Sequence, residues 1–278
     1  MFGENELFKE VQKISLSEIL PKHKFPPGFD YAVIDENDNI LNFCSSKYSL
    51  VENSKIFRPI EKQFEELDIE FIRSVKIINK AKFYVDYIIK DRKDAEGIVG
   101  ILPKISVWNS YDGGSMLRHE TGFFRLVCSN GLTRPIGISK KDIYRHATGS
   151  DSVSVEEKIC EIIQDSKDFI ANASSDIEIF QKLAEQKVTK RKIKSVGNAV
   201  GLSKKIIECA EDRFDLEVGE NLNYKNEFGE NVQHNKSERN MFVLYNALNF
   251  GIYNTNLKEL PERKIEKDRK LLTTLLQS

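Results

Sequence analysis

The sequence predicts an α+β fold, with a β-rich N-terminal half that packs one helix and a helical C-terminal half. Three observations predict it: period-two hydrophobic alternation before Pro135, helix-capping residues with helical spacing after it, and no regular alternation of strands with helices. We place a β-rich domain at 1–150 and a helical region at 151–278, and we expect the two to pack as one unit.

Residues 1–20 predict a short helix, and residues 31–41 predict two short strands around a polar turn. The helical stripe in residues 50–67 predicts the helix of the N-terminal half, with Pro59 delaying its start or kinking it. Alternation from Lys82 onward predicts a long half-exposed strand. Two more strands are expected, at the segments GIVGILPKISVW and GFFRLVCS, with a glycine-rich turn between them.

In the second half, Ser154 with Glu157 and Ser175 with Glu178 form two capping boxes and predict two successive helices. Thr189 and Ser203 are expected to cap two shorter helices. Residues 215–236 lack a clear period and predict a long loop, and two further helices are expected to close the chain.

Composition excludes several classes of protein. The chain has 278 residues, 40% hydrophobic and 31% charged, with a formal net charge of -1, so no global field attracts a polyanion. No apolar run approaches the roughly 20 residues of a membrane helix, and the start lacks the apolar segment of a secretory signal. We therefore expect no contact with a membrane. The four cysteines form no CxxC pair, so we expect a cytoplasmic protein.

Catalytic motifs are missing from the sequence. It contains no phosphate loop, dinucleotide-binding glycine motif, nucleophile elbow or HExxH zinc motif, and we expect no cofactor and no metal. Ser115 or Cys128 near His119 could act as a nucleophile, but turn chemistry explains the serine and an apolar strand face explains the cysteine. A divalent metal on Asp112, Glu120 and His119 would make a nuclease, although these residues form no recognisable metal-binding frame.

Basic residues interleave with aromatic residues in the predicted sheet. Lys104 shares a strand face with Trp108, Phe123 shares one with Arg125, and Arg118 lies between them. Residues 103–148 hold seven basic and three acidic residues, a local charge of +4. Cations neutralise phosphates and aromatic faces stack on unpaired bases, so this pattern favours single-strand binding. The same aromatic residues could instead be core. The remaining predicted contacts are Lys140, Lys141 and Arg145.

A second basic run could bind a phosphate backbone, or it could be an ordinary solvated helix face. It is KVTKRKIKSVGNAVGLSKK, in which four basic residues lie within one helical turn and Lys204 and Lys205 follow. The four are Lys190, Arg191, Lys192 and Lys194.

Four short motifs follow one another along the chain: Tyr48-Ser-Leu-Val-Glu-Asn53, Asn109-Ser-Tyr-Asp-Gly113, Arg125-Leu-Val-Cys-Ser-Asn130 and Leu244-Tyr-Asn-Ala247. In this order they resemble the phage/plasmid-like protein family, the domain of unknown function 932. The chain departs from the commoner pattern at Tyr111, where histidine is usual, and at Gly131, where threonine is frequent. The resemblance implies a role in the DNA metabolism of a mobile element. We expect structural roles for Asn109, Asp112, Gly113, Gly114, Cys128 and Asn130.

The order of helix and sheet also resembles single-strand annealing proteins of the RecT and Redβ kind. We therefore expect a non-catalytic protein that binds or anneals single-stranded DNA or RNA in DNA replication or recombination, and that forms a homo-oligomer. One alternative is a phage or element protein that serves in structure or in protein–protein interaction. Another is the metal-dependent nuclease.

Overall fold

The structure is a computed structural model that describes residues 4–90, 101–114, 117–125, 130–133, 154–219, 222–225, 231–234, 237–256, 259 and 261–277. It confirms the α+β class: antiparallel strands dominate the N-terminal half and helices dominate the C-terminal half. Within these ranges, no helix is long and apolar enough to cross a membrane.

The N-terminal half holds three helices and eight strands in the described ranges. The helices are α1 (Glu4–Leu7), α2 (Leu16–Ile19) and α3 (Asn53–Glu66). The strands are β1 (Val11–Ser15), β2 (Tyr31–Asp35), β3 (Ile40–Cys44), β4 (Phe71–Ile78), β5 (Lys82–Ile89), β6 (Ile101–Ser110), β7 (Arg118–Arg125) and β8 (Asn130–Thr133).

The first sheet has the order β1-β2-β3, and both pairs are antiparallel. Its turn is fixed by Asp35, whose carboxylate accepts hydrogen bonds from the backbone N–H groups of Asn37 and Asn39. Lys9 lies 3.5 Å from the same carboxylate. Burial alone would raise the pKa of Asp35, but the bonds from Asn39 and Asn37 bring it below its usual value. The predicted pair of strands around a polar turn is thus confirmed, while β1 was not predicted.

Helix α3 confirms the prediction for residues 50–67, and it is continuous through Pro59. Its apolar residues recur every three or four positions, so one face of the helix is buried. The buried side chains are Ile56, Phe57, Ile60 and Phe64.

The second sheet has the order β4-β5-β6-β7-β8. Strands β4 and β5 form a hairpin in which Phe71 pairs with Ile89 and Ile78 pairs with Lys82. The prediction of a half-exposed strand from Lys82 needs a correction, because six of the eight residues of β5 are buried and the other two are half-buried. Strand β5 lies between two neighbours in this sheet, a position that favours burial of both faces.

The C-terminal half is mainly helical. Its helices are α4 (Val155–Glu185), α5 (Arg191–Val200), α6 (Lys204–Gly219), α7 (Met241–Asn254) and α8 (Pro261–Leu276). The only strands in the described part of this half are β9 (Leu222–Lys225) and β10 (Asn231–His234), which pair antiparallel. The prediction of a loop at 215–236 is therefore wrong where α6 continues to Gly219 and where these strands pair.

The first predicted capping box is confirmed. The Glu157 carboxylate accepts the Ser154 N–H at 2.9 Å, and the Ser154 hydroxyl accepts the Glu157 N–H at 3.0 Å. The second box is wrong, because α4 runs unbroken through Ser175, whose hydroxyl donates to the Asn172 carbonyl. A serine that bonds a carbonyl in the preceding turn is compatible with a helix interior.

The chain divides into two compact units. Unit 1 comprises residues 1–91, 105–120 and 140–169. Unit 2 comprises residues 92–104, 121–139 and 170–278.

Candidate nucleic-acid interface

Trp108, in unit 1, is one of the two rings predicted to stack on bases. Its side chain is only 2% exposed. The Tyr84 ring meets it edge-on at 6.4 Å between centroids, and the Arg118 guanidinium lies 4.6 Å from its centroid. A base cannot stack on a ring that is covered in this way, so the prediction for Trp108 is corrected to a core position that Arg118 helps to cover.

Phe123, in unit 2, is the second predicted stacking residue, and it is fully buried. It packs edge-on against Phe180 at 5.6 Å, and Phe180 in turn contacts Phe242 and Tyr245. Edge-to-face rings at these separations are typical of a hydrophobic core. Phe123 therefore belongs to the aromatic core of unit 2 and offers no face to a base, which is a further correction.

The other residues predicted on the sheet face are basic. Lys104 and Arg118 are half-buried. Arg125 ends β7 opposite Asn130 in β8. Four of the predicted residues lie outside the described residues: Cys128, Lys140, Lys141 and Arg145.

The motif residues at Asn53 and Asn109, which are far apart in sequence, meet in unit 1. The Asn109 amide donates to the Asn53 side-chain oxygen at 2.8 Å and to the Val51 carbonyl at 3.1 Å. The Asn53 amide in turn donates to the Leu7 carbonyl at 2.9 Å. Both asparagines are at most 1% exposed, so these bonds satisfy amide nitrogens that water does not reach.

Two tyrosines extend the same network. The Tyr111 hydroxyl accepts the Asn53 N–H at 2.9 Å, which satisfies a donor of the first turn of α3. The Tyr48 hydroxyl donates to the Tyr111 carbonyl at 3.2 Å. Burial raises the pKa of both phenols well above the usual range, so both remain protonated at physiological pH.

The glycine turn after Tyr111 completes the network. The Asp112 carboxylate accepts the Gly114 N–H at 2.8 Å and lies 3.6 Å from the Lys82 ammonium. Gly113 has a φ of +66°, a conformation that other residues adopt only at a cost. We call Tyr48, Asn53, Asn109, Tyr111, Asp112 and Gly113 the signature lock. The bonds of Asn109 and Tyr111 to Asn53 join the end of β6 to the start of α3.

The residues of the hypothetical nuclease site are occupied by other contacts. The Asp112 carboxylate is held by the turn and by Lys82. The His119 ring lies 3.0 Å from the Asp165 carboxylate and is 4% exposed. Among the described residues, no cluster of three His, Cys, Asp or Glu side chains could hold a metal ion.

The second basic run forms the α5–α6 patch, which lies entirely in unit 2. Between residues 187 and 208 the chain carries seven basic residues and one acid, a local charge of +6. The basic residues of α5 lie near its amino end, and α6 begins with two lysines. The basic residues of the patch are Lys187, Lys190, Arg191, Lys192, Lys194, Lys204 and Lys205.

The turn between α5 and α6 fixes the position of these charges. Gly201 has a φ of +81°, and the Leu202 N–H returns to the Gly197 carbonyl at 2.9 Å, which is a glycine-based helix stop. Ser203 then begins α6, with its hydroxyl 3.4 Å from the Ile206 N–H. The Lys270 ammonium donates to the Val200 carbonyl at 2.8 Å and so caps α5 from α8.

Close packing also holds the two helices together. A Cβ at Gly197 would lie 2.7 Å from an Ile207 side-chain carbon, so only glycine allows this approach without rearrangement. The predicted cap at Ser203 is confirmed. The predicted cap at Thr189 is wrong, because Lys190 occupies the N-cap position and no side chain caps it.

Acidic residues of α6 pair with part of the patch. Lys190 forms a close ion pair with Asp215, and this hydrogen bond raises the pKa of the Lys190 ammonium. Lys194 lies 3.5 Å from Glu211, and Lys204 lies 3.6 Å from Glu208. Within the described part of the chain, Arg191 and Lys205 are exposed and have no acidic partner. The patch therefore combines lysines that are paired with acids of α6 and basic residues that are exposed without an acidic partner.

A cleft of about 480 Å³ lies beside the amino end of α5. The connection from α4 to α5 forms one wall, fixed by bonds from Val188 to Arg239 and from Met241 to Gln186. The lining residues are Gln186, Lys187, Val188, Thr189, Lys192 and Met241. Two of its six lining residues, Lys187 and Lys192, are basic residues of the patch.

The comparisons with known proteins identify the family. Residues 40–255, more than half of the chain, match the family model for a domain of unknown function (DUF932), so the chain belongs to this family. Neither a curated protein nor a solved structure matches the chain. The likeness to single-strand annealing proteins therefore stays a prediction.

Sequence reasoning located the four basic residues at the start of α5, which are Lys190, Arg191, Lys192 and Lys194, but missed their surroundings. The pairing of Lys190 with Asp215 links residues 25 positions apart. Lys187, which lines the cleft, stands in the same basic run and was not among the predicted contacts. Gly197 and Gly201 stand four positions apart in this run, a spacing that allows close helix packing, and a Cβ at Gly197 would lie 2.7 Å from an Ile207 side-chain carbon.

Proposed function

We propose that this chain is a non-catalytic nucleic-acid-binding protein of a phage or mobile element, and that it acts in DNA replication or recombination. The α5–α6 patch is the proposed binding surface. The observation that carries the proposal is the concentration of seven basic residues and one acid between residues 187 and 208 of a chain with net charge -1. Such a patch attracts a polyanion by local charge when the whole chain does not.

The geometry of the patch supports phosphate binding. Arg191, Lys194, Lys204 and Lys205 are exposed, and the short turn at Gly201 holds the two helices that carry them. A charge on a fixed helix loses less conformational freedom on binding than a charge on a loop. The cleft with Lys187 and Lys192 adds a recess in which a phosphate can be neutralised from two sides.

Single-strand annealing was expected from rings at Trp108 and Phe123 that could stack on bases. Both rings are buried, so stacking no longer supports that activity. Homo-oligomer formation was expected with annealing and remains part of that hypothesis. The proposal of nucleic-acid binding now depends on phosphate contacts alone.

A pair of matched double variants tests the proposal. Arg191→Ala/Lys194→Ala removes two exposed charges from the patch, and Lys55→Ala/Lys62→Ala removes two exposed, acid-paired lysines from α3. We expect the patch variant to bind a mixed-sequence DNA on the order of tenfold more weakly at low salt, with a salt dependence shallower by about two phosphate contacts. The control should bind like the unaltered protein. Equal affinity of the two variants would refute the proposal.

The acids of α6 offer a test in the opposite direction. Asp215→Asn and Glu211→Gln remove the partners of Lys190 and Lys194 without changing side-chain size. Because each change frees a lysine and removes a repulsive charge, the double variant should bind DNA more tightly and with a steeper salt dependence. An unchanged affinity would mean that these lysines do not contact phosphates.

A protein–protein interaction is the second candidate function. Five of the eight large apolar side chains that are exposed in the described residues lie between residues 19 and 43: Ile19, Leu20, Phe29, Ile40 and Phe43. Ile40→Ser/Phe43→Ser should leave DNA affinity unchanged if the patch is the functional surface. This candidate is favoured if neither the unaltered protein nor Ile40→Ser/Phe43→Ser binds DNA and if the variant loses self-association or partner binding.

A further inference from the structure

We propose that the α5–α6 patch binds double-stranded DNA in preference to single strands, and that it does so through the phosphates without reading sequence. This inference rests on the proposed function and names its substrate class. It differs from the single-strand activity expected from the sequence, and three observations on the patch carry it.

The first observation is the lack of aromatic residues. Residues 186–212 contain no Phe, Tyr or Trp. Elsewhere in the described side chains of unit 2, Phe250 and Tyr253 are half-buried beneath cations, with Arg213 at 4.9 Å and Lys264 at 5.9 Å, and the other aromatic side chains are buried. Single-strand binders gain much of their affinity from bases stacked on aromatic rings. The patch has no such platform.

The second observation is the spacing of the basic residues along the patch. Lys190, at the start of α5, and Lys204, at the start of α6, flank α5, a ten-residue helix roughly 15 Å long, and the turn at Gly201 that follows it. Duplex DNA carries one negative charge per roughly 1.7 Å of its axis, and each neutralised phosphate contributes more to counterion release in a duplex than in a single strand. A surface that binds by charge alone therefore gains more from the duplex.

The third observation is rigidity. The bond from Lys270 to Val200, the left-handed Gly201 and the contact of Gly197 with Ile207 fix α5 against its neighbours. Charges at fixed separations match the regular phosphate spacing of a stiff duplex. A flexible single strand would have to lose conformational freedom to follow the same charges.

The experiment compares one 30-nucleotide sequence as a duplex and as each of its separate strands, with a second, unrelated duplex as the sequence control. Affinities of the full-length protein are measured at several salt concentrations, and again for Arg191→Ala/Lys194→Ala. We expect the duplex to bind several-fold more tightly than either strand, with a steeper salt dependence. The two duplexes should agree within about threefold, since phosphate contacts carry no sequence information.

The outcomes separate this inference from the function on which it rests. Tighter binding to the strands than to the duplex, weakened by the patch variant, would overturn the duplex preference and keep nucleic-acid binding. A difference above about tenfold between the two duplexes would overturn sequence independence. Binding to none of these molecules would overturn the proposed function itself.

An engineered ring tests the argument about stacking. Ala199 is exposed on α5, so Ala199→Trp places an aromatic side chain on the patch without disturbing the core. Because one stacked base is worth about 1–3 kcal/mol, we expect single-strand affinity to rise roughly fivefold or more, with little change for the duplex. Ala199→Leu, of similar apolar character and without a ring, is the matched control. Equal gains for Trp and Leu would contradict the argument.

Discussion

The signature lock in unit 1 and the α5–α6 patch in unit 2 are built on opposite principles. Asn53, Asn109 and Tyr111 of the lock are buried and bond one another or the backbone. The patch consists of basic residues, most of them exposed and some paired with acids of α6, in a segment with no catalytic motif. The lock holds residues of two of the four motifs by which the chain resembles its family, and the patch holds the charge. Residues that define a family can therefore serve the fold, while binding depends on surface composition that leaves no short motif.

The largest expected effect is on the lock. In Asn109→Asp, a buried carboxylate replaces an amide whose nitrogen donates to two oxygens, those of Val51 and Asn53. The acid must either ionise next to these oxygens or take up a proton, so we expect a loss of about 3 kcal/mol or more in the free energy of unfolding. Asn198→Asp makes the same chemical change at an exposed site and should cost under about 0.5 kcal/mol. Denaturant unfolding measures both.

Tyr111→Phe removes a single contact of the lock. The Asn53 N–H loses its acceptor in a buried site, so we expect a loss of about 1–3 kcal/mol in the free energy of unfolding. Tyr31→Phe, on β2 and half-buried, is a control at a phenol outside the lock. A loss no greater than that of the control would show that the hydroxyl does not hold α3.

The same phenols predict a pH dependence. Burial raises the pKa of Tyr48 and Tyr111 in the folded protein above the ordinary value of 10.0, so the unfolded chain loses these protons first as pH rises. The stability contributed by the two tyrosines is thus fully present below pH 10.0 and falls above it. In Tyr111→Phe the alkaline loss should be smaller, which unfolding at pH 9 and near pH 11 (roughly one unit either side of that value) would show.

A smaller effect is expected in the turn that supports the patch. Gly201 has a φ of +81°, so Gly201→Ala should cost about 1–2 kcal/mol, and Gly201→Asn should cost less because asparagine tolerates this region. Thermal unfolding of the two variants checks the order. Equal costs would mean that steric crowding, rather than backbone conformation, requires the glycine.

The limits of sequence reasoning are clear from particular residues. Alternation located β5, and Ser154 with Glu157 located the start of α4, because both signals are local. Alternation also placed Trp108 on a strand face, but whether that ring is covered depends on side chains distant in sequence, here Tyr84 on the neighbouring strand β5. The pairing of Asn53 with Asn109 and of Lys190 with Asp215 is long-range for the same reason.

The smallest expected effect is on the fluorescence of Trp108, the single tryptophan. Because the ring is 2% exposed and covered by Arg118, binding of a poly-dT oligonucleotide or of duplex DNA should leave its emission unchanged while a gel shift reports a complex. Salt-sensitive quenching would instead return the sheet face to the binding site.

The most direct test of the central claim compares the lock with the patch in one assay. Asp112→Ala removes the bond to the Gly114 N–H and the ion pair with Lys82, and Arg191→Ala/Lys194→Ala removes two charges of the patch. Melting temperature and affinity for one duplex DNA are measured for both. We predict that Asp112→Ala lowers the melting temperature and binds normally, while the patch variant melts normally and binds on the order of tenfold more weakly. Weaker binding by Asp112→Ala with unchanged binding by the patch variant would contradict the account and make the glycine turn the site.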